Sequence, residues 1–283
     1  MLSSAFKNLG LSLALSLVLG ACINLKHVGE LSKTSIEGIE KYETLPQSFT
    51  QICTEDCEQR SISDFKIHNT ACDCEQNIKA DSITRVIYET TRDYFYGLVD
   101  ISDNKLTGYQ TADLNTALAT GDFGPVKLNE ADVNAYSKVS TLLLRAFTDG
   151  YRRKKVKEYV SQGHEPLKVM IHFLEMNLSG NLNGKLEVQK STVKNFYFDF
   201  VMNKKLSPYE RTKFAEDYFR RISEISRKQK ELDAFSTILQ EIEGGHEILY
   251  QNINNLEDKE VKGKLARLGR KLKNAIAALS KSK

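Results

Sequence analysis

The sequence predicts an all-α protein, an irregular or elongated bundle of about six to eight helices with a small disulfide-stapled cap on its N-terminal side. Apolar residues recur at three- and four-residue steps from Glu75 onward, the period of helices with one buried face. The chain holds four prolines and no tryptophan, and is rich in Lys, Glu, Leu and Ile. Four cysteines gather just ahead of the first long periodic segment. No tandem repeat is evident, so a solenoid lacks its signature.

The first element is a leader. Lys7 gives a positive flank, Leu9 to Leu19 an apolar stretch, and Gly20 and Ala21 the small residues of a cleavage site. That stretch is too short to cross a hydrocarbon core of about 30 Å as a helix. An ordinary cleaved signal that happens to precede a cysteine is one reading. The order Leu19-Gly20-Ala21-Cys22, however, resembles the lipobox of bacterial lipoproteins. The resemblance covers only the leader and Cys22. It implies cleavage before Cys22, a diacylglyceryl group on its thiol, and membrane lipid as a partner, each buried CH2 contributing ~0.8 kcal/mol. Ile23-Asn24 follows with no aspartate, which in Gram-negative lipoproteins implies the outer membrane, facing the periplasm, over the inner membrane. The expected organisation is signal peptide 1–21, lipidated N-terminus and tether 22–45, cysteine-rich cap 46–75 and helical body 76–283. Ile23 to about Lys41 reads as the tether.

Composition bounds the rest. Apolar content of 41% and charged content of 27% are those of a globular chain. A net charge of +3 makes no case for nucleic acid as a partner. No second apolar run approaches spanning length.

Of five cysteines, lipidation of Cys22 leaves an even four, Cys53, Cys57, Cys72 and Cys74. An exported chain meets an oxidising compartment, where an even set reads as disulfides. If Ser48 to Gln59 is a helix, Cys53 and Cys57 share a face. The natural pairing is then nested, Cys53–Cys74 with Cys57–Cys72; the crossed pairing stays open. Four thiolates in two close pairs can also make a zinc site, but the spacing is not that of two-residue knuckles. No metal and no cofactor are expected, and the Cys-x-x-Cys of thiol exchange is absent.

The body follows in order. Ile83, Ile87, Tyr94 and Leu98 mark a long helix from Glu75 to Asp100–Asn104, with a shorter one at Thr111–Ala119. Asn129 reads as an N-cap for a helix carried by Val133, Tyr136, Leu143 and Phe147 as far as Val160. Gly163 closes it, and Pro166 opens another helix reaching Leu178. Asn177 to Gly184 is the clearest loop. Leu186 to Val201 reads as helix or, from its alternating Phe196, Phe198 and Phe200, as a strand. Ser207-Pro208-Tyr209-Glu210 is a capping box opening a helix that runs to Gly244-Gly245. A last helical region carries Leu265, Leu272 and Leu279.

Two surfaces invite a partner protein or a membrane. Arg152, Arg153, Lys154 and Lys155 form a basic run, placed in the last third of the expected 129–160 helix, where the helix dipole favours positive charge. Arg267, Arg270 and Lys271 ride beside the apolar stripe of the last helix; closing the bundle is the plainer use of that stripe. Catalysis has little support. His172 and Glu175 are one helix turn apart, with His164 two turns earlier, but no catalytic or phosphate-binding motif is present and no catalytic residue is named. The expected function is a non-enzymatic, lipid-anchored scaffold or adaptor binding another envelope protein. The alternative is a small-molecule or lipid carrier with a pocket lined by Tyr94, Phe95, Phe147, Tyr151, Phe196, Phe198 and Phe200.

The anchor has a direct check. Replacement Cys22→Ser is expected to abolish incorporation of labelled palmitate in a Gram-negative host and to leave the leader uncut, read by autoradiography and intact mass.

Overall fold

The computed structural model describes residues 25–66, 72–103, 123–145 and 152–281. Cys22 with the leader, the helix expected at Thr111–Ala119, Phe147 and Tyr151 lie outside them. The fold is an all-α irregular bundle: α1 (Lys26–Ile39), α2 (Phe49–Ser63), α3 (Glu75–Asp103), α4 (Glu130–Arg145), α5 (Arg152–Glu175), α6 (Asn183–Met202), α7 (Pro208–Gln251) and α8 (Lys259–Lys281). A 3-10 turn (Glu40–Thr44) follows α1, and a π-helical segment (Met176–Leu182) joins α5 to α6.

Most of the expected tether is a helix in the core. Val28, Leu31 and Ile39 of α1 are buried beside Ser32, Thr34 and Ser35. These three hydroxyls donate to carbonyls one turn back, at 2.9, 3.0 and 3.0 Å, so small polar residues that read as linker are buried with their bonds made. α1 runs antiparallel to the end of α7. Its first turn places His27 against the Leu256 backbone, while Gly38 meets Ile238 and Ile242.

α2 starts where the sequence says. Ser48 Oγ accepts the Gln51 N–H at 3.2 Å, and the Asp81 carboxylate of α3 accepts the Phe49 and Thr50 N–H groups at 2.8 and 3.0 Å. A negative charge there complements the N-terminal end of the dipole. Only Phe49, Ile52 and Gln59 of α2 are buried, a small core contribution for a whole helix. The disulfides make up for it. They are nested, Cys53–Cys74 and Cys57–Cys72, and pin α2 to the start of α3. Closing a loop of about 15 residues is worth ~3 kcal/mol on the chain-entropy view.

The long helix from Glu75 appears as α3. Asn129 caps α4 reciprocally with Asp132: Asn129 Oδ1 accepts from the Asp132 N–H at 3.0 Å, and the Asp132 carboxylate from the Asn129 N–H at 2.9 Å. The single helix expected to reach Val160 is two, since α4 ends at Arg145 and α5 begins at Arg152 and packs back against it.

α5 does not break at Gly163 or Pro166. Gly163 serves packing. A Cβ there would overlap the ring of Tyr94 on α3, and a Cβ at Gly97 of α3 would overlap the hydroxyl of Tyr159 on α5. Each helix gives a glycine to the other's tyrosine. The two rings stack with centroids 4.8 Å apart, and Tyr159 donates to the Tyr94 carbonyl at 3.0 Å.

The loop expected at Asn177 to Gly184 is the wide turn through which α5 continues into α6. Its polar side chains satisfy helix groups: Asn177 donates to the Phe173 carbonyl at 2.9 Å, Asn181 to Asn177 at 2.8 Å, and Ser179 to the Leu232 carbonyl at 3.3 Å. Leu178 and Leu182 are buried between them. Residues 186–201 are helical, not a strand. The capping box at α7 is present, Ser207 Oγ accepting from the Glu210 N–H at 3.3 Å and Glu210 from the Ser207 N–H at 2.8 Å. α7 continues through Gly244-Gly245 to Gln251, because Gly245 lets Leu31 and Leu268 come close. α8 buries Val261, Leu265, Leu272 and Leu279 against α7 and α1, closing the bundle.

Among the described residues no helix is long and apolar enough to cross a membrane. Replacement Gly163→Ala should destabilise the protein by ~1–3 kcal/mol through overpacking against Tyr94. Gly184→Ala, with nothing within 4 Å of the new methyl, should be neutral or stabilise by up to ~1 kcal/mol. Urea denaturation of both variants measures the contrast.

Candidate functional site

α6 and the first half of α7 pair as a two-helix arm. α2 descends antiparallel along α7, Glu55 meeting Lys228 at 2.7 Å and Gln59 meeting Arg221 at 2.7 Å. Just past its C-terminal end, Phe65 comes to Phe200, centroids 6.2 Å apart. Inside the arm Phe200 stacks on Phe214 at 4.5 Å and abuts Phe196 at 5.0 Å. Outside, Phe198 is 59% and Phe219 66% exposed, with Met202 and Tyr209 also exposed. Between them lies a groove of about 220 Å³, lined by Tyr197, Phe198, Val201, Ala215, Tyr218 and Phe219, with Lys194 at its edge. Adjacent exposed aromatics on two helices form an apolar patch that is costly in water. Lys194 here and Lys204 and Lys205 on the α6–α7 turn make no ion pair among the described residues.

The carrier's aromatic set is split. Tyr94 and Phe95 are fully buried in the bundle, whereas Phe196, Phe198 and Phe200 belong to the arm.

A second, polar cleft of about 300 Å³ lies between α2, α6 and α7. The Glu55 carboxylate is held at its base by Lys228 at 2.7 Å, Gln47 at 3.1 Å and Gln189 at 3.2 Å. Burial pushes that carboxyl up, but the Lys228, Gln189 and Gln47 donors outweigh it and lower its pKa. Arg221 can only donate, so it fixes Gln59 Oε1 as acceptor and leaves the Gln59 amide N–H unpaired. The Glu55 carboxylate can only accept, so it fixes Gln189 Nε2 as donor and leaves the Gln189 carbonyl unpaired. Each such orphan costs ~1–3 kcal/mol in a folded chain.

The third constellation is a buried chain of polar side chains. Tyr94 Oη lies 2.7 Å from His246 Nε2, His246 Nδ1 lies 3.3 Å from His164 Nδ1, and His164 Nε2 lies 3.2 Å from Glu247 Oε2. The carboxylate end sets the tautomers. With His164 Nε2–H donating to Glu247, its Nδ1 accepts from His246 Nδ1–H, and His246 Nε2 accepts from the Tyr94 hydroxyl. In that arrangement each ring nitrogen and the Tyr94 hydroxyl has a partner. Burial, then the neighbouring His164, pushes the His246 pKa down to about 3. The chain joins α3, α5 and α7. Its two histidines are 82 residues apart, so spacing in the sequence carries no trace of it.

The remaining expected residues fall as follows. His172 is exposed while Glu175 accepts from Ser236 and Gln240, so His172, Glu175 and His164 make no site. No group of three metal-ligating side chains occurs among the described residues. The basic run Arg152-Arg153-Lys154-Lys155 opens α5 instead of ending a helix, so the dipole opposes it. Arg267, Arg270 and Lys271 lie on the outer face of α8, along an open groove floored by Ile248 and Leu268, with Lys271 paired to Glu241 at 3.3 Å. Among known proteins, no family model, no curated protein and no solved structure matches the chain.

The neutral His246 sets a pH dependence. Its folded pKa lies below the unfolded ~6.5, so the unfolded chain binds the proton first, and this stability is present above ~6.5 and lost as pH falls toward about 3. Relative to wild type, His246→Gln should flatten the loss between pH 6.5 and 5 by about 2 kcal/mol, at roughly 1.4 kcal/mol per unit. Urea denaturation across that range reads it.

Proposed function

We propose that the protein is a lipid-anchored, non-enzymatic adaptor of the cell envelope that binds another envelope protein through the aromatic groove of the α6–α7 arm. The observation that carries the reading is the separation of two ends. α1 begins beside the α7–α8 turn, where His27 meets Leu256, and Cys22 lies within ~11 Å of contour length of Leu25. The arm tip is at the opposite end of α7, a helix of 44 residues and therefore about 66 Å long. A lipid on Cys22 would thus hold the base of the molecule on the membrane and present Phe198 and Phe219 far from it.

That geometry favours a protein over the anchoring lipid as occupant. The groove suits an amphipathic helix laid between α6 and α7, apolar side chains down. Acidic flanks on that helix would complement Lys194, Lys204 and Lys205. The basic face of α8 stands nearer the base, where anionic headgroups are the complementary contact.

A photo-crosslinking residue at Phe219 in intact cells tests the reading. The expected product is a discrete adduct with one envelope protein, reduced at least tenfold by Phe198→Asp. Phe198 is exposed, so that change should leave stability within about 0.5 kcal/mol. Adducts with lipid alone, or an adduct indifferent to Phe198→Asp, would contradict it.

A further inference from the structure

We infer that the second half of α2 is a redox-controlled strap. Its two disulfides hold it across the inner face of the arm, and their reduction by a dithiol lets it swing away about a hinge at Phe49 and Ile52. The first turn is well seated. Phe49 and Ile52 are fully buried, and the Asp81 carboxylate accepts the Phe49 and Thr50 N–H groups. Beyond Ile52 that seat is gone. From Cys53 to Ser63 the only apolar side chain besides the cysteines is Ile62, which is 42% exposed, and the only buried residue is Gln59. Burial of apolar surface, the main force that docks a helix, is therefore lacking along this half.

The contacts that remain are polar and imperfect. One ammonium, Lys228, serves two carboxylates, Glu55 at 2.7 Å and Glu224 at 3.7 Å. Arg221 takes Gln59 Oε1 and leaves the Gln59 amide N–H sealed from water without a partner, and the Gln189 carbonyl is sealed and unpaired in the same way. Both regain water when the strap lifts, so each orphan opposes docking. Just past the helix, Phe65 has a φ of 55°, in the left-handed region that a bulky side chain enters at a cost, and it is 77% exposed although it meets Phe200. A segment with this interface stays in place because it is tied. Cys53–Cys74 and Cys57–Cys72 each join it to the residues that lead into α3.

Each bridge opens by thiol–disulfide exchange. A thiolate of the dithiol attacks one sulfur, and the other cysteine leaves as a thiolate and takes a proton. The second thiol of the dithiol then closes on the mixed disulfide and releases the first cysteine. Two dithiols thus become two cyclic disulfides, while Cys53, Cys57, Cys72 and Cys74 gain one hydrogen each. Cys57 and Cys72 are both half-buried whereas Cys74 is buried, so the Cys57–Cys72 bridge is reached first. Reduction adds Val193 and Ile225, which line the cleft beneath the strap, to the apolar surface that the arm exposes.

Amide hydrogen exchange of the intact protein, read by mass spectrometry with and without dithiothreitol, tests the inference, with alkylation confirming that Cys53, Cys57, Cys72 and Cys74 are free. Amides of residues 54–64 are expected to exchange at least about tenfold faster after reduction, and those of α4 to α8 to change by less than about twofold. In the double variant Cys57→Ala, Cys72→Ala, which keeps Cys53–Cys74, residues 58–64 should show the faster exchange with no reductant present. Unchanged protection of residues 54–64 with all four thiols free would overturn the inference, because the polar contacts would then suffice to hold the strap. Loss of protection across α4 to α8 as well, or a double variant that exchanges like wild type, would overturn it too. The outcome is independent of whether the arm finds a protein partner.

Discussion

The seat of Tyr94 over Gly163 is the contact on which the rest of the architecture depends. Two helices this close need a residue without a Cβ at the crossing, and α3 and α5 provide one each, Gly97 and Gly163. The Tyr94 ring is wholly buried there, and a buried hydroxyl without a partner would cost more than its ring returns. Its partner comes from α7, 152 residues away, as His246. One side chain therefore sets the spacing of α3 and α5 and the position of α7 against both. Since α7 extends into the arm, that contact also aims the aromatic groove.

Local signals were legible in the sequence where local chemistry decides the outcome. The capping pairs Ser207–Glu210 and Asn129–Asp132 are made within one turn, and the structure has both. The nested cysteine pairing follows from a helical repeat on α2, and the structure selects it over the crossed one. Glycine and asparagine misled for the opposite reason. Gly163, Gly245 and the Asn177–Gly184 segment have the composition of helix ends, but distant side chains use the small residues as hollows and the amides as internal donors. α1 was hidden in the same way, by hydroxyls that look solvent-seeking until they bond to their own helix. The candidate sites were unreadable because each is assembled across the chain. The polar cleft draws on α2, α6 and α7, and the histidine pair on α5 and α7.

Division of labour follows from this packing. The bundle around Tyr94 and His246 is closed, with the Tyr94–His246–His164–Glu247 chain paired end to end, which is the behaviour of a core. The arm is the reverse, with Phe198 and Phe219 left in water on paired helices. α2 stands between the two, with little core of its own and covalent staples in its place. A helix of that kind is positioned without being deeply buried, so its polar face stays available to line a cleft.

The central claim is that the base beside the α7–α8 turn, where the lipid proposed for Cys22 would sit, and the aromatic arm lie at opposite ends of α7. It is tested most directly by energy transfer from acylated protein on vesicles to an acceptor dye in the bilayer, with a donor placed either at Lys204 on the arm turn or at Glu257 on the α7–α8 turn. The account predicts strong transfer from the donor at Glu257 and little from the donor at Lys204, a helix length of about 66 Å further out. Equal transfer from the two positions, or stronger transfer from Lys204, would contradict it.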